Sequence, residues 1–262
     1  MTRQPVFYIP HGGGPCFFMD DPLGAWTGMA SFLRALPERL PNAPQAILLV
    51  SAHWETEGFA LTAASKPELI YDYYGFPAHT YQLQYNVPGS PRVADRAMGL
   101  LQRAGIKARV DTQRGLDHGV FIPMKVAFPD ARVPLVEMSL DRGLDPSLHL
   151  AAGQALSELR DEGIVIVGSG MSFHNLRDYG RSDAGVLSSQ FDQWLGEALA
   201  LEGTDRTRQL ERWATAPASR FAHPREEHLL PVMVAAGAAK GTGERIYNED
   251  VLGIRISGFQ FS

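Results

Sequence analysis

Short apolar runs alternate along the chain with longer segments in which apolar residues recur at helical spacing. The runs at residues 6–9, 47–50, 133–140 and 164–167 have the length and aliphatic content of buried strands. Strands that alternate with helical segments are typical of βαβ units. The pattern predicts an α/β fold with a central, mostly parallel or mixed sheet flanked by helices.

Two helices have clear start and stop signals. Ser90 with Pro91, and Asp145 with Pro146, form N-cap and first-turn pairs, and glycines follow at 105 and 163. Apolar spacing predicts further helices around residues 191–198 and 226–239, and alternation at 252–256 predicts a strand. No repeat or linker divides the chain, so we expect one catalytic domain over residues 1–262.

Residues 71–91 follow neither a helical nor a strand period and are dense in aromatic residues, Pro and Gly. A long irregular excursion in a compact domain is often a lid or a binding loop. The alternative is a covering loop that packs its own aromatic side chains on the sheet.

Composition excludes several classes of partner. The chain is 45% hydrophobic and 20% charged with a net charge of -5, which gives no general attraction to nucleic acid or to anionic membranes. The lone Cys16 excludes an intrachain disulfide and a multi-cysteine zinc cluster. A strand-like run so close to Met1 leaves no room for a signal peptide, and no apolar run approaches ~18 residues. We expect a soluble cytoplasmic protein that acts on small molecules.

Three of the eight histidines follow the predicted strands: His11, His53 and His174. The carboxyl ends of parallel strands share one edge of a sheet, so these imidazoles can meet in one crevice. Neutral imidazole is the commonest protein ligand for transition metals. The spacing predicts a metal site at the carboxyl edge of the sheet, although each histidine alone could also be a core residue.

Two further histidines could join this site. His118 follows Asp117, which could orient the ring or cap a turn, and His228 lies near a predicted helix start, where the dipole favours a neutral imidazole. We expect the other three to lie outside the site: His149 on a solvated helix face, His79 at an exposed position of the excursion, and His223 in a turn.

Seven motifs in this order resemble the class III extradiol ring-cleavage dioxygenases, most closely the DOPA dioxygenase type, which is related to the B subunit of protocatechuate-type enzymes. They are His11-Gly12-Gly13-Gly14-Pro15, Ser51-Ala52-His53-Trp54, Gly75-Phe76-Pro77, Pro88-Gly89-Ser90-Pro91, Asp117-His118-Gly119, His174-Asn175-Leu176 and Glu227-His228-Leu229-Leu230-Pro231. An ordered set is far more specific than any one motif.

The resemblance implies a mononuclear non-haem metal, with Fe(II) expected for activity and Zn(II) as the alternative in the isolated protein. It implies that His11, His53 and His228 are the metal ligands. His174 is the implied acid-base residue, or a fourth ligand when zinc is bound, and His118 is implied either to support a metal ligand or to contact substrate. We expect His174 or His118 to transfer the catechol proton. The expected substrates are a small catecholic or related phenolic compound and O2.

One motif departs from its relatives. Many have His-Gly-Ser-Pro first, whereas here three glycines precede Pro15-Cys16-Phe17-Phe18. This apolar segment could select a different ring substituent or simply pack under the first helix. The sequence leaves two alternatives to the oxygenase open: a zinc hydrolase that acidifies a bound water, and a non-catalytic metal-binding protein on the same scaffold.

Overall fold

The computed structural model describes residues 2–262 and places eight strands in one mixed sheet of order β4-β3-β5-β2-β6-β1-β8-β7. The strands are β1 Val6–Pro10, β2 Ala46–Thr56, β3 Phe59–Thr62, β4 Ala108–Asp111, β5 Leu135–Asp141, β6 Ile164–Gly170, β7 Gly243–Val251 and β8 Ile254–Phe261. The predicted α/β fold with a mixed sheet is confirmed.

The four central strands are parallel to one another. β2 pairs with both β5 and β6, and β6 pairs with β1, all in parallel register. Every residue of β1 and β6 is buried, because both faces of the sheet are covered. The carboxyl ends of these strands therefore open at the same edge, as the sequence predicts.

Helices cover both faces of the sheet. They are α1 Thr27–Ala35, α2 Pro91–Arg103, α3 His118–Ala127, α4 Pro146–Leu156, α5 Ala184–Leu199, α6 Gly203–Glu211, α7 Ser219–Ala222 and α8 Leu230–Gly237. Alternate residues of β1 enter different cores: Val6 and Tyr8 join the one that contains α2, α4, α5 and α8, and Phe7 and Ile9 the one that contains α3. This alternation follows from the period-2 geometry of a strand.

The predicted helix starts are confirmed in atomic detail. The Ser90 side chain accepts a hydrogen bond from the Val93 amide at 3.4 Å, and Asp145 accepts one from the Ser147 amide at 2.9 Å. The helix expected to reach residue 163 ends earlier: α4 stops at Leu156, and a 3-10 turn, Ser157–Arg160, follows.

The C-terminal region differs from the expected single strand. β7 and β8 form an antiparallel hairpin at one end of the sheet. Leu252, placed in the strand by its alternation, lies in the hairpin turn with a φ of 52° and is half exposed. In the described part of the chain, no helix is both long and apolar enough to cross a membrane.

Residues 71–91 pack most of their aromatic side chains as the covering-loop alternative predicts, although Tyr74 is exposed. Tyr73 and Tyr85 are buried, and the Tyr85 hydroxyl donates to the carbonyl oxygens of Met124 and Phe128 at the end of α3. The Tyr73 ring also lies 5.7 Å from that of His118. The excursion thus covers the sheet and lines the crevice at the same time.

Candidate metal centre

Five histidines converge at the carboxyl edge of the central strands, as the sequence predicts. The imidazole of His11, just beyond β1, lies 4.9 Å from that of His53 and 5.5 Å from that of His118, measured between ring centroids. The rings of His53 and His118 are 4.0 Å apart. His53 lies within β2 rather than after it, in the stretch where the register with β5 shifts.

His228 reaches this group from the segment before α8. Its Nε2 atom lies 3.3 Å from Nε2 of His53, and its ring centroid is 5.2 Å from that of His11. The backbone carbonyl of His228 accepts hydrogen bonds from the Tyr8 hydroxyl at 3.0 Å and the Met171 amide at 3.1 Å. The His228 backbone is therefore anchored to β1 and to the end of β6.

The imidazole ring of His174 stacks on that of His228. Their ring centroids are 3.4 Å apart and their planes meet at 16°. The His174 backbone amide donates to the Ala222 carbonyl, which ties the segment after β6 to the end of α7. His174 thus lies beside the other four histidines, with its side chain 24% exposed.

The Nδ1 atoms of these histidines point at acceptors. His11 Nδ1 donates to the Gly12 carbonyl at 2.9 Å, and His118 Nδ1 donates to Asp72 Oδ1 at 2.9 Å. His228 Nδ1 lies 2.9 Å from Glu227 Oε1. An imidazole that carries its proton on Nδ1 presents an unprotonated Nε2, which is the form that binds a metal.

The Nε2 atoms have the environment that a bound cation would satisfy. His11 Nε2 is buried without a hydrogen-bond partner among the described residues. The two Nε2 atoms of His53 and His228 face each other at 3.3 Å, and His228 already directs its Nδ1 at a carboxylate. A set of imidazole nitrogens fits a divalent first-row metal, so the residues present suit the metal that the sequence predicts.

Two groups of described residues have their potential ligand atoms within 4.8 Å of one another. One contains His11, His53 and His118, and the other contains His174, Glu227 and His228. The predicted ligand set of His11, His53 and His228 takes members from both groups, which adjoin at the short His53 to His228 contact.

Burial keeps the inner histidines neutral. Desolvation, followed by the neighbouring imidazoles, lowers the pKa of His11 and of His228 well below the ordinary value. Desolvation also lowers the pKa of His53 to about 4, with His118 as the next cause. Neutral imidazoles are what a metal needs, because a protonated nitrogen cannot coordinate.

Two carboxylates, Asp72 and Glu227, contact the histidine cluster and were not predicted as site residues. Burial opposes their ionisation, but hydrogen bonds from His118 hold the pKa of Asp72 below its ordinary range, and hydrogen bonds from His174 do the same for Glu227. The adjacency of Glu227 to His228 is a signal that the sequence offered. Asp72 lies among the aromatics of the excursion and had no such signal.

Asp117 does not orient the His118 ring, and its side chain makes no capping hydrogen bond at the start of α3, so neither predicted role of Asp117 is confirmed. Its Oδ1 accepts a hydrogen bond from the Ser51 hydroxyl at 2.8 Å, and Ser51 Oγ accepts one from the His53 amide at 3.1 Å. Asp72 orients the His118 ring instead. Asp117 therefore supports the site by fixing the backbone of β2 at His53.

The three histidines left out of the site lie outside the cluster, but His149 is not exposed as expected. His149, predicted on a solvated face, is fully buried, where its Nδ1 donates to the Asp145 carbonyl and its Nε2 accepts from the Asp141 amide. His223 is also fully buried and donates from Nε2 to the Ser172 carbonyl at 3.0 Å. His79 is exposed, as predicted.

The apolar segment after the three glycines packs against the His11 turn. A Cβ atom added at Gly12 would lie 2.4 Å from Cys16 Sγ and 3.1 Å from the Phe17 ring, and Gly12 itself has a φ of +80°. Phe17 contacts Trp26 edge to face at 6.4 Å. The glycine allows the turn to approach this segment closely.

The chain is similar to known proteins along most of its length. Residues 6–257 match the family described as the catalytic LigB subunit of aromatic ring-opening dioxygenase. The chain is 38% identical over 249 residues to a 4,5-DOPA dioxygenase extradiol of Beta vulgaris, covering 93% of this chain and 90% of the relative. It is 35% identical over 246 residues to a 4,5-DOPA dioxygenase extradiol of Escherichia coli, covering 92% and 87%.

Two other proteins are similar over nearly the whole chain. A dioxygenase of Hapsidospora irregularis is 38% identical over 279 residues, covering 98% of this chain and 85% of the relative. The crystal structure of an uncharacterized protein of Escherichia coli K12 superposes with a TM-score of 0.79 at 29% identity, covering 99% of this chain and 100% of the other. The histidine cluster lies in the region that the family match spans, and the chain therefore belongs to the LigB family of extradiol aromatic ring-opening dioxygenases.

Proposed function

We propose that His11, His53 and His228 hold a single Fe(II) ion with which this dioxygenase opens a small catecholic substrate beside its hydroxyl-bearing carbons. The observation that supports the ligand set is the convergence of three Nε2 atoms, with His11 Nε2 buried and unpartnered among the described residues and His53 Nε2 at 3.3 Å from His228 Nε2. Three imidazoles leave coordination positions for substrate and O2.

His174 and His118 are the proposed proton-transfer residues. Both lie beside the ligand set, and both Nδ1 atoms are directed at carboxylates, His174 at Glu227 and His118 at Asp72. Each ring can therefore accept and return a proton at Nε2. The bound metal supplies the binding of catecholate and O2 and the transfer of electron density between them.

The substrate is proposed to be a catechol that carries a ring substituent. Two curated relatives bear the name 4,5-DOPA dioxygenase extradiol, so DOPA belongs in the first panel of compounds. Plain catechol, caffeate and protocatechuate complete a panel that separates ring recognition from recognition of the side chain.

Metal content distinguishes the roles of the five histidines. We expect His11→Ala, His53→Ala and His228→Ala to abolish metal loading, since each removes one of three ligands. His174→Ala and His118→Ala should retain the metal and lose activity by about 10²–10⁴-fold, the usual effect of removing an acid-base residue. Loss of metal from His118→Ala with retention by His228→Ala would instead assign the group His11, His53 and His118 as the ligands.

Oxygen dependence tests the reaction itself. Metal-free protein is loaded anaerobically with Fe(II) or Zn(II), given each catechol, and exposed to O2 while oxygen uptake and ring-opened product are recorded. We expect turnover with Fe(II) only. A nitrogen-rich site binds Zn(II) more tightly than Fe(II), so zinc in a purified sample would not contradict the proposal, whereas no oxygen uptake with any catechol and any metal would.

A further inference from the structure

Two carboxylates each contact a pair of site histidines at Nδ1. Glu227 Oε1 lies 2.9 Å from His228 Nδ1 and 3.2 Å from His174 Nδ1. Asp72 Oδ1 lies 2.9 Å from His118 Nδ1, and its Oδ2 lies 3.7 Å from His53 Nδ1. Each carboxylate thus joins one proposed metal ligand to one proposed proton-transfer residue.

We propose that Glu227 and Asp72 are positioning residues that keep the proton of His228, His174 and His118 on Nδ1, and thereby turn the Nε2 lone pairs of these three imidazoles towards metal and substrate. The inference rests on the proposed function only for the roles given to the histidines. The contacts themselves hold whichever of them bind the metal.

The physical reason is that a neutral imidazole carries one proton on one of two nitrogens. The hydrogen bond made by one nitrogen decides which tautomer is present. An ionised carboxylate only accepts hydrogen bonds, so it selects the tautomer with a proton on the nearer nitrogen. A histidine protonated on Nε2 could neither bind a metal nor accept a substrate proton at that atom.

Both carboxylates are themselves held in place. Asp72 Oδ1 accepts a second hydrogen bond, from the His118 backbone amide at 2.9 Å. Glu227 Oε2 lies 3.4 Å from Arg225 Nη1, and Arg225 makes two hydrogen bonds of 2.6 Å to the carboxylate of Glu55 on β2. The Glu227 side chain is only 13% exposed. Fixed acceptors of this kind hold the histidine rings in orientation as well as in tautomer.

The pairing couples two functions. Because His174 and His228 stack at 3.4 Å and share one carboxylate oxygen, a change at Glu227 reaches a metal ligand and an acid-base residue together. Asp72 has the same relation to His53 and His118, but its contact with His53 is longer. We therefore expect Glu227 to matter more for metal affinity and Asp72 more for His118.

The tautomers can be read from the metal-free full-length protein by ¹⁵N NMR of the imidazole nitrogens, without metal, substrate or turnover. In the wild type we expect Nδ1–H at His174, His228 and His118. Glu227→Met should shift His174 and His228 to Nε2–H and leave His118 unchanged, and Asp72→Leu should do the reverse. Glu227→Gln keeps an oxygen acceptor and should restore Nδ1–H.

Metal affinity gives a second readout. Zn(II) competition with a fluorescent chelator should show about 10–100-fold weaker binding by Glu227→Met, the usual loss when a partner of a ligating histidine is removed. The matched control is Glu226→Gln, which changes the adjacent carboxylate, paired with Arg220 instead, and should leave affinity unchanged.

The proposal is overturned if the wild type holds Nε2–H at His174 and His228. It is also overturned if Glu227→Met leaves both tautomers and Zn(II) affinity unchanged. Should Glu227→Met fail to fold, Asp72→Leu still tests the proposal, which is overturned if His118 keeps its proton on Nδ1 in that variant. None of these readouts depends on oxygenase activity, so failure of the proposed reaction and failure of this inference are separate results.

Discussion

Glu137 is a carboxyl group buried completely beside the histidine site. Its Oε2 accepts a hydrogen bond from the Asp117 amide at 3.2 Å, and its Oε1 lies 3.6 Å from the Arg114 guanidinium. Burial, followed by the nearby Asp117 carboxylate, raises the pKa of Glu137 well above its ordinary value. The folded protein therefore holds this proton at a pH where the unfolded chain has released it.

We predict that Glu137→Gln gains stability relative to the wild type as pH rises from 5 to 8. Above about pH 4.3 the unfolded glutamate binds fewer protons than the folded one, so the free energy of unfolding of the wild type falls by up to about 1.4 kcal/mol per pH unit. The Glu137→Gln variant has no proton to release at this position and does not lose this stability. Urea unfolding of both proteins at each pH measures the difference, in which the histidine contributions cancel. The exposed Glu244→Gln is the control, and a pH-independent difference would contradict the prediction.

Which residues form the site was only partly predictable from the sequence. His11, His53 and His174 were found because strand ends predict a shared edge, and the structure brings His118 and His228 to the same place. Asp72 and the Ser51 to Asp117 contact were not found, because pairings across the fold leave no local pattern. His149 was misplaced because a helical position does not reveal whether a neighbouring strand covers it.

Glycines in β6 allow the strand to touch the segment that carries His228. A Cβ atom at Gly170 would lie 2.2 Å from the His228 carbonyl oxygen, and one at Gly168 would lie 2.3 Å from that of Pro231. These contacts are with backbone, which cannot rotate away as a flexible side chain can. The close packing of β6 on the start of α8 thus depends on the absence of side chains.

We predict that Gly170→Ala displaces the His228 backbone, lowers the free energy of unfolding by about 1–3 kcal/mol and weakens Zn(II) binding. The matched control is Gly99→Ala within α2, where the nearest atom to the new Cβ would be Arg103 Nη1 at 3.9 Å. That substitution should stabilise the protein by about 0.5–1 kcal/mol, because alanine favours a helix over glycine. Thermal unfolding and chelator competition measure both effects, and unaltered Zn(II) binding by Gly170→Ala would contradict the prediction.

At the level of elements, capped helices and buried strands were the most predictable. The Ser90 and Asp145 caps mark α2 and α4, since side-chain acceptors at a helix start are local in sequence. The short β3 and the polar β7 were missed. Most residues of β7 are exposed or half-buried, so its sequence carries little of the alternation that predicts a strand.

The arrangement of the whole sheet goes beyond what a single sequence states. Alternating elements predict a parallel centre, but strand order depends on pairings between distant segments, such as β1 between β6 and β8. The metal site depends on that order, since it places the ends of β1, β6 and β2 side by side. The edge and its histidines were predictable, whereas the carboxylates that contact them, Asp72 and Glu227, were not.

Acid stability is a property of the whole molecule, because desolvation lowers the pKa of five histidines in different parts of the fold. Desolvation is the largest cause that lowers the pKa of His11, His53, His149, His223 and His228, with His223 lowered to about 3. Between these values and about 6.5 the unfolded chain binds more protons than the folded protein. Stability is therefore present above about pH 6.5 and is lost as pH falls.

We predict that the metal-free protein loses stability steeply from pH 7 to pH 5, with an upper limit of about 7 kcal/mol per pH unit if all five histidines take up a proton on unfolding. Urea unfolding across this range measures the slope. His223→Asn should reduce the slope by up to about 1.4 kcal/mol per pH unit, since asparagine takes up no proton, whereas the exposed His79→Gln should not.

Zn(II) should add stability at pH 7 and less at pH 5, because protons compete for the same imidazoles that hold the metal. A slope that His223→Asn leaves unchanged would contradict the assignment of a buried neutral imidazole at that position, and Zn(II) stabilisation independent of pH would contradict metal binding through histidine.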